Sequence, residues 1–264
     1  MLTESEKYFF ECNGYLVLRN LLNPDLLKEL RAACDEAEAR WQSNPEAPGV
    51  RRPDLDQVMA ILEYDPTFVK MLTYPAIFQR ARDLLGPDIR LLDHDYFVSP
   101  TGAMINKGWH YDEGFPSIYH PRSRLMVKVF YVLEDIPHDG GGTVFLPGSH
   151  CFSPDLKLPN TEIPEDMPNA IRMDLPAGSA YLMHGRLYHS VGNNLSNLRR
   201  KLLIYTYGHK WMRVWGGYEP SDSLISQATT PMLRQLMGLT DPYGPNAEVD
   251  QEPPQIADVS AVPA

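Results

Sequence analysis

The residues with the clearest chemical reach lie in Trp109-His110-Tyr111-Asp112, where a histidine and a carboxylate are separated by one position in a segment that reads as extended backbone. Side chains at i and i+2 of a strand share a face, so imidazole and carboxylate can approach one metal ion from the same side and leave its far side open. A second histidine from another extended stretch would complete a face of two histidines and one carboxylate, the ligand set of non-haem Fe(II) oxygenases. The stretch Tyr181 to Ser190 offers two candidates, His184 and His189, and a three-point face takes only one. Beyond it, Gly192-Asn193-Asn194 signals a turn and Arg199-Arg200 leads into a strand-like run. An oxygenase that consumes a 2-oxo acid needs a cation deep in its pocket for the remote carboxylate, and the bidentate fork of arginine suits that task.

Those residues must be carried on a scaffold, and the chain changes texture near residue 88. Before it, Gly14 to Leu18 reads as a short strand, and Asn23-Pro24-Asp25 starts a helix over about 24–42. In that helix Leu26, Leu27, Leu30, Ala33, Cys34, Ala37 and Trp41 form one apolar stripe at three-and-four spacing, which reads as core. Asp65-Pro66 and Tyr74-Pro75 open two more helices, the second ending at Gly86-Pro87. After residue 88, short β-branched or alternating runs separated by turn residues predict strands at Ile89–Val98, Leu125–Leu133, Thr143–Leu146, Ser179–His184 and Lys201–Tyr207. That spacing favours a sandwich or barrel over a parallel sheet with crossover helices.

Composition narrows the function classes. At 264 residues the chain suits one large domain, expected over 1–240. A net charge of −10 is opposite in sign to the footprint of a nucleic-acid binder. No stretch reaches the roughly 18 to 20 apolar residues that span a bilayer, and the first residues lack a signal-peptide pattern, so a soluble cytoplasmic protein without a membrane partner is expected. Cys12, Cys34 and Cys151 make neither a CxxC pair nor an even disulfide set, and read as reduced and mostly buried. From Asp241 onward there are five acids, five prolines and no Lys or Arg, so 241–264 reads as a disordered acidic tail.

These blocks, taken in order, resemble the phytanoyl-CoA dioxygenase (PhyH) superfamily of Fe(II)- and 2-oxoglutarate-dependent oxygenases over about residues 8–240. The resemblance rests on Phe10-Glu11-Cys12-Asn13-Gly14-Tyr15-Leu16-Val17-Leu18-Arg19-Asn20, Asn23-Pro24-Asp25, Trp109-His110-Tyr111-Asp112, Gly140-Gly141-Gly142-Thr143, Leu146-Pro147-Gly148-Ser149-His150, Pro176-Ala177-Gly178-Ser179 and His184 to His189. It implies a mainly β fold with flanking helices: a double-stranded β-helix, or cupin-like jelly roll, buttressed by N-terminal helices. It implies that His110, Asp112 and His189 hold iron and form the catalytic centre. It also implies that the 2-oxoglutarate arginine lies eleven residues after the second metal histidine, which is Arg200. Asp95 and Phe130 would line the co-substrate pocket, with O2 as the second co-substrate. Many relatives carry Ser or Thr two residues after the second histidine, where this chain has Val191. Relatives that halogenate lack the metal-binding carboxylate, which here is Asp112.

Other features read more plainly. His184 is expected to support the site rather than ligate, and His150 to belong to a turn. Gly140-Gly141-Gly142 lacks the Lys-Ser/Thr and following helix of a phosphate loop and predicts a tight connection. Trp109, Tyr111, Phe115 and Trp211 are candidates for a substrate mouth. The expected activity is oxidation of a small metabolite such as a natural-product intermediate, by hydroxylation, desaturation or rearrangement, with release of succinate and CO2. The alternatives are a metal-dependent cupin-like oxygenase or isomerase that dispenses with 2-oxoglutarate, and a non-catalytic metal-binding module.

Overall fold

The computed structural model describes residues 1–104, 108–113, 123–153, 155–159 and 161–248. Helix α1 (Glu4–Asn13) opens on a capping box in which Thr3 and Glu6 satisfy each other's backbone donors, and closes on Gly14 at φ 80°. Gly14 turns the chain directly into β1 (Tyr15–Leu18). A Cβ at Gly14 would sit 2.6 Å from the His150 ring, so this corner needs glycine for space as well as for backbone angle. Helix α2 (Pro24–Ser43) starts on Asn23 and Pro24 and buries Leu30, Ala33, Cys34, Ala37 and Trp41, the expected stripe. A hairpin of β2 (Gly49–Arg51) and β3 (Asp56–Val58) follows. Helices α3 (Pro66–Met71) and α4 (Pro75–Leu85) each carry a proline in the first turn.

The β region comprises β4 (Ile89–Ser99), β5 (Met126–Val132), β6 (Thr143–Phe145), β7 (Ile171–Arg172), β8 (Ala180–His184), β9 (His189–Val191) and β10 (Arg200–His209). Two short helices follow, α5 (Asp222–Ser226) and α6 (Pro231–Leu236). The strands form an antiparallel sheet in the order β1-β8-β5-β10-β4-β3-β2, faced by a three-stranded sheet β7-β6-β9. This is the jelly roll with flanking helices. Strands β2 and β3 escape a sequence reading because they are three residues each and their connection carries Arg52 and Asp54.

The large sheet is covered on both faces, and strand alternation divides its side chains between two cores. Leu203, Tyr205 and Tyr207 of β10, with Val127, Val129 and Tyr131 of β5, pack outward against the helices. The Tyr205 hydroxyl donates to the Phe68 carbonyl (2.8 Å) and that of Tyr207 to the Leu72 carbonyl (3.0 Å), which ties the α3 region to β10 and satisfies these two phenols. Leu202 and Ile204 of β10, Phe130 and Val132 of β5, and Tyr181 and Met183 of β8 face inward, into the barrel.

The cysteines differ from the sequence expectation. Cys34 is buried in the α2 stripe, but Cys12 and Cys151 are exposed, because the last turn of α1 and the turn after Gly148 both lie at the surface. At the head of the acidic tail, Gly244 accepts from Lys210 Nζ (2.8 Å) and Ala247 donates to Gln235 Oε1 (2.7 Å), while 249–264 lie outside the described residues. No helix among the described residues is long and apolar enough to cross a membrane.

Two core histidines couple this fold to pH. His94, on the outer face of β4, accepts from the Leu62 amide at Nδ1, and His184 accepts from the Arg186 amide. Burial pushes both imidazoles down to about 3. The unfolded chain, with histidine near 6.5, then binds protons that the folded chain refuses, so stability falls as pH drops from about 6.5 towards 3 at about 1.4 kcal/mol per unit for each group. His94→Asn keeps the acceptor and removes the titration. Its stability cost in urea unfolding is expected to be largest near pH 8 and to shrink steadily below pH 6.5, whereas a cost independent of pH would contradict the assignment.

Candidate active site

The chain brings His110 and His189 together through their backbones. The His110 amide donates to the His189 carbonyl (2.9 Å), the His189 amide donates to the His110 carbonyl (3.0 Å), and the two rings lie 4.2 Å apart. Two residues on, the amides of Asp112 and Glu113 both donate to the Gly185 carbonyl at 3.0 Å. Gly185 permits this approach, since a Cβ there would stand 2.7 Å from Glu113 Cγ and 2.6 Å from Met126 Cγ. Its role is not visible without the contact partner.

Each imidazole is oriented by a carbonyl two residues earlier. Nδ1–H of His110 donates to Gly108 O (2.9 Å) and Nδ1–H of His189 to Leu187 O (2.8 Å), which leaves Nε2 of each ring with its lone pair towards Asp112. His110 Nε2 lies 3.6 Å from Asp112 Oδ1, and His189 Nε2 lies 3.5 Å from Asp112 Oδ2. One donor atom from each of the three residues falls within 4.8 Å of the others. Two neutral imidazoles and one carboxylate on one flank fit a divalent first-row ion with its remaining positions open. His184 is absent from this group; it is the last residue of β8 and is buried, its ring 5.1 Å from that of His150. His150 itself donates from Nε2–H to the Glu11 carbonyl (3.1 Å) within the turn after Gly148.

The two arginines part company because neighbours on a strand face opposite sides. Arg199 points outward and pairs with Glu38. Arg200 points into the barrel and is 3 % exposed. Its guanidinium gives one hydrogen bond, from Nη1 to the Gly141 carbonyl (2.6 Å), while Nε has no partner among the described residues. Burial pulls this guanidinium down to about 10, against a smaller opposite effect of Tyr181. A buried cation with an unused donor fits the carboxylate of a bound acid.

Near Arg200, the hydroxyls of Thr143 and Tyr181 are hydrogen-bonded to each other at 2.8 Å. Thr143 stands opposite Val191 in the β6–β9 register, so a hydroxyl is present on the adjacent strand where Val191 supplies none. Phe130 stacks on Tyr181 with ring centroids 4.5 Å apart, and both belong to the inward-facing apolar cluster. Neither Thr143 nor Tyr181 can be singled out from sequence, because their meeting depends on register between strands distant along the chain.

A charged wall flanks the triad. Asp93 and Asp95 of β4 lie beside Thr206 and Ile204 of β10, which in turn lie beside Lys128 and Phe130 of β5. Thr206 donates to Asp93 (2.6 Å), and Asp95 accepts from Gln57 and Tyr218, both at 2.7 Å. Burial, with Asp93 alongside, pushes the Asp95 carboxyl up to about 7. Lys128 Nζ lies 3.4 Å from Asp112 Oδ2. Burial alone would lower its ammonium, but Asp112, Asp93 and Asp95 together hold it above the usual lysine value.

The aromatic candidates separate by environment. Trp109 is buried, stacks on Tyr188 at 5.2 Å and donates to Thr161 (3.0 Å). Tyr111 also packs on Tyr188, at 4.8 Å, under the Arg186 guanidinium. Trp211 is half exposed and stacks on His209 at 6.1 Å. Phe115 lies outside the described residues.

With this geometry in hand, similarity to known proteins becomes informative. Residues 10–202 match the family profile described as phytanoyl-CoA dioxygenase (PhyH). The chain is 24 % identical over 224 residues to the dioxygenase af480 of Aspergillus fumigatus, covering 82 % of this chain and 69 % of that one. Its fold is shared with the alpha-ketoglutarate-dependent carbocyclase SnoK from nogalamycin biosynthesis (TM-score 0.64, 20 % identity, 79 % of this chain and 85 % of that one). It is shared too with HygX from Streptomyces hygroscopicus, solved with nickel and 2-oxoglutarate bound (TM-score 0.66, 17 % identity, 84 % and 94 %). A family match across most of its length, on a jelly roll that brings two histidines and an aspartate to one point, makes this chain a member of the phytanoyl-CoA dioxygenase family and an enzyme of the dioxygenase class.

Proposed function

We propose that the protein is an Fe(II)- and 2-oxoglutarate-dependent oxygenase that oxidises a small metabolite such as a natural-product intermediate, with release of succinate and CO2. The observation that carries this reading is the presence in one jelly roll of the His110–Asp112–His189 face and of a buried Arg200 whose Nε lacks a partner among the described residues. His110, Asp112 and His189 hold the iron, and Arg200 receives the far carboxylate of 2-oxoglutarate, assisted by the Thr143 and Tyr181 hydroxyls. When bound, iron and co-substrate supply the activation of O2. The chain's own part is ligation, orientation and exclusion of water: Phe130 and Ile204 make the space between triad and arginine apolar. SnoK is described as a biosynthetic enzyme. That description motivates a metabolite substrate here, as does the net charge of −10, which disfavours nucleic acid.

Succinate release with Fe(II), 2-oxoglutarate and O2 is expected from the wild type across a metabolite panel. It should drop to background in His110→Ala, Asp112→Ala and His189→Ala while circular dichroism is unchanged. Metal-dependent turnover that leaves 2-oxoglutarate unconsumed would instead identify a cupin-like oxygenase or isomerase.

Arg200→Met gives a sharper outcome. Replacing a buried cation that has a single hydrogen bond by an apolar side chain of similar reach is expected to leave the thermal midpoint unchanged or raised. In the wild type loaded with Ni(II), 2-oxoglutarate at a hundredfold excess over its Kd should stabilise by about 2.7 kcal/mol. Arg200→Met should lose that increment at the same concentration, and retention of it would assign the co-substrate to another cation.

A further inference from the structure

Lys128 has no place in the core its strand builds. Its inward-facing strand-mates Phe130 and Val132 are apolar and packed into the barrel, whereas Lys128 keeps only 18 % of its side chain exposed. A lysine in such a position costs stability unless it is paired. Its ammonium reaches Asp112 Oδ2 at 3.4 Å, the same oxygen that lies 3.5 Å from His189 Nε2, while Asp112 Oδ1 faces His110 Nε2 at 3.6 Å. Asp93 and Asp95 on β4 supply further negative charge to the same ammonium from the far side of β10.

We infer that Lys128 is a positioning residue that holds Asp112 to a single metal-facing oxygen, keeping open the coordination position that a chelating carboxylate would occupy. The inference rests on the metal-centre reading above. A carboxylate can ligate through one oxygen or both, and an ammonium beside Oδ2 draws on the lone pairs and charge of that oxygen, leaving Oδ1 for the ion. A second bond from Asp112 would remove one of the three positions that two co-substrates need. Asp93 and Asp95 keep the ammonium in place once the ion has drawn off part of the Asp112 charge.

The test uses the full chain loaded with Co(II), with Lys128→Met, Lys128→Gln and Lys128→Arg beside the wild type. The first readout is the infrared difference between metal-loaded and metal-free protein, in which the split between the two carboxylate stretches is wide for one-oxygen binding and narrow for chelation; Asp112→Ala identifies the band. The second is calorimetric affinity for Co(II) and then for 2-oxoglutarate. The split is expected to narrow in Lys128→Met, Co(II) to bind at least as tightly because a like charge has gone, and 2-oxoglutarate to bind about tenfold more weakly. Lys128→Arg should recover the wide split, and Lys128→Gln replaces Lys128→Met if the latter does not fold. An unchanged split and unchanged 2-oxoglutarate affinity in the uncharged variant overturn the role of Lys128 alone. A wild type that binds no Co(II) overturns the metal centre and this inference with it.

Discussion

Two backbone hydrogen bonds between His110 and His189 are the constraint on which the site depends. They convert residues from opposite ends of the β region into neighbours and fix the distance between two imidazoles before any ion arrives. The third member follows from the same pairing, because the Gly185 carbonyl takes the Asp112 amide and so points its carboxylate between the rings. Each ring is then held in one tautomer by a carbonyl of its own segment. Preorganisation of this kind places ligation in the backbone ladder, where it is insulated from side-chain mobility.

The barrel interior mixes charged and apolar side chains. Asp93, Thr206 and Lys128 form one row across the large sheet, Asp95, Ile204 and Phe130 the next, and Arg200 stands at the start of β10. An ordinary core would be apolar throughout, and each buried charge here carries a desolvation cost of several kcal/mol unless it meets a partner. Lys128, Asp93 and Asp95 have such partners within the wall. Among the described residues Arg200 has the Gly141 carbonyl alone, and the unused donor is what the proposed co-substrate carboxylate would take up.

What the sequence made legible follows from period and spacing. The two-residue step from His110 to Asp112 signals a shared face without any knowledge of the fold, and the alternation of β10 separates Arg200 from Arg199. The caps at Asn23-Pro24, Asp65-Pro66 and Tyr74-Pro75 give helix starts because their chemistry is local. Features set by register stay hidden: Thr143 opposite Val191, the approach of Gly185 to Glu113, and the exposure of Cys12 and Cys151 all depend on which surface another segment covers. Lys128 is a charged residue inside an apolar strand, and only the distance to Asp112 gives it a meaning.

The most direct test of the account is a crystal structure of the protein with Ni(II) and 2-oxoglutarate, with the metal located by its anomalous scattering. The account predicts one nickel at about 2.1 Å from His110 Nε2, His189 Nε2 and one Asp112 oxygen, with the distal carboxylate of 2-oxoglutarate on Arg200. Nickel bound away from these three side chains, or the co-substrate held by a different cation, would contradict it.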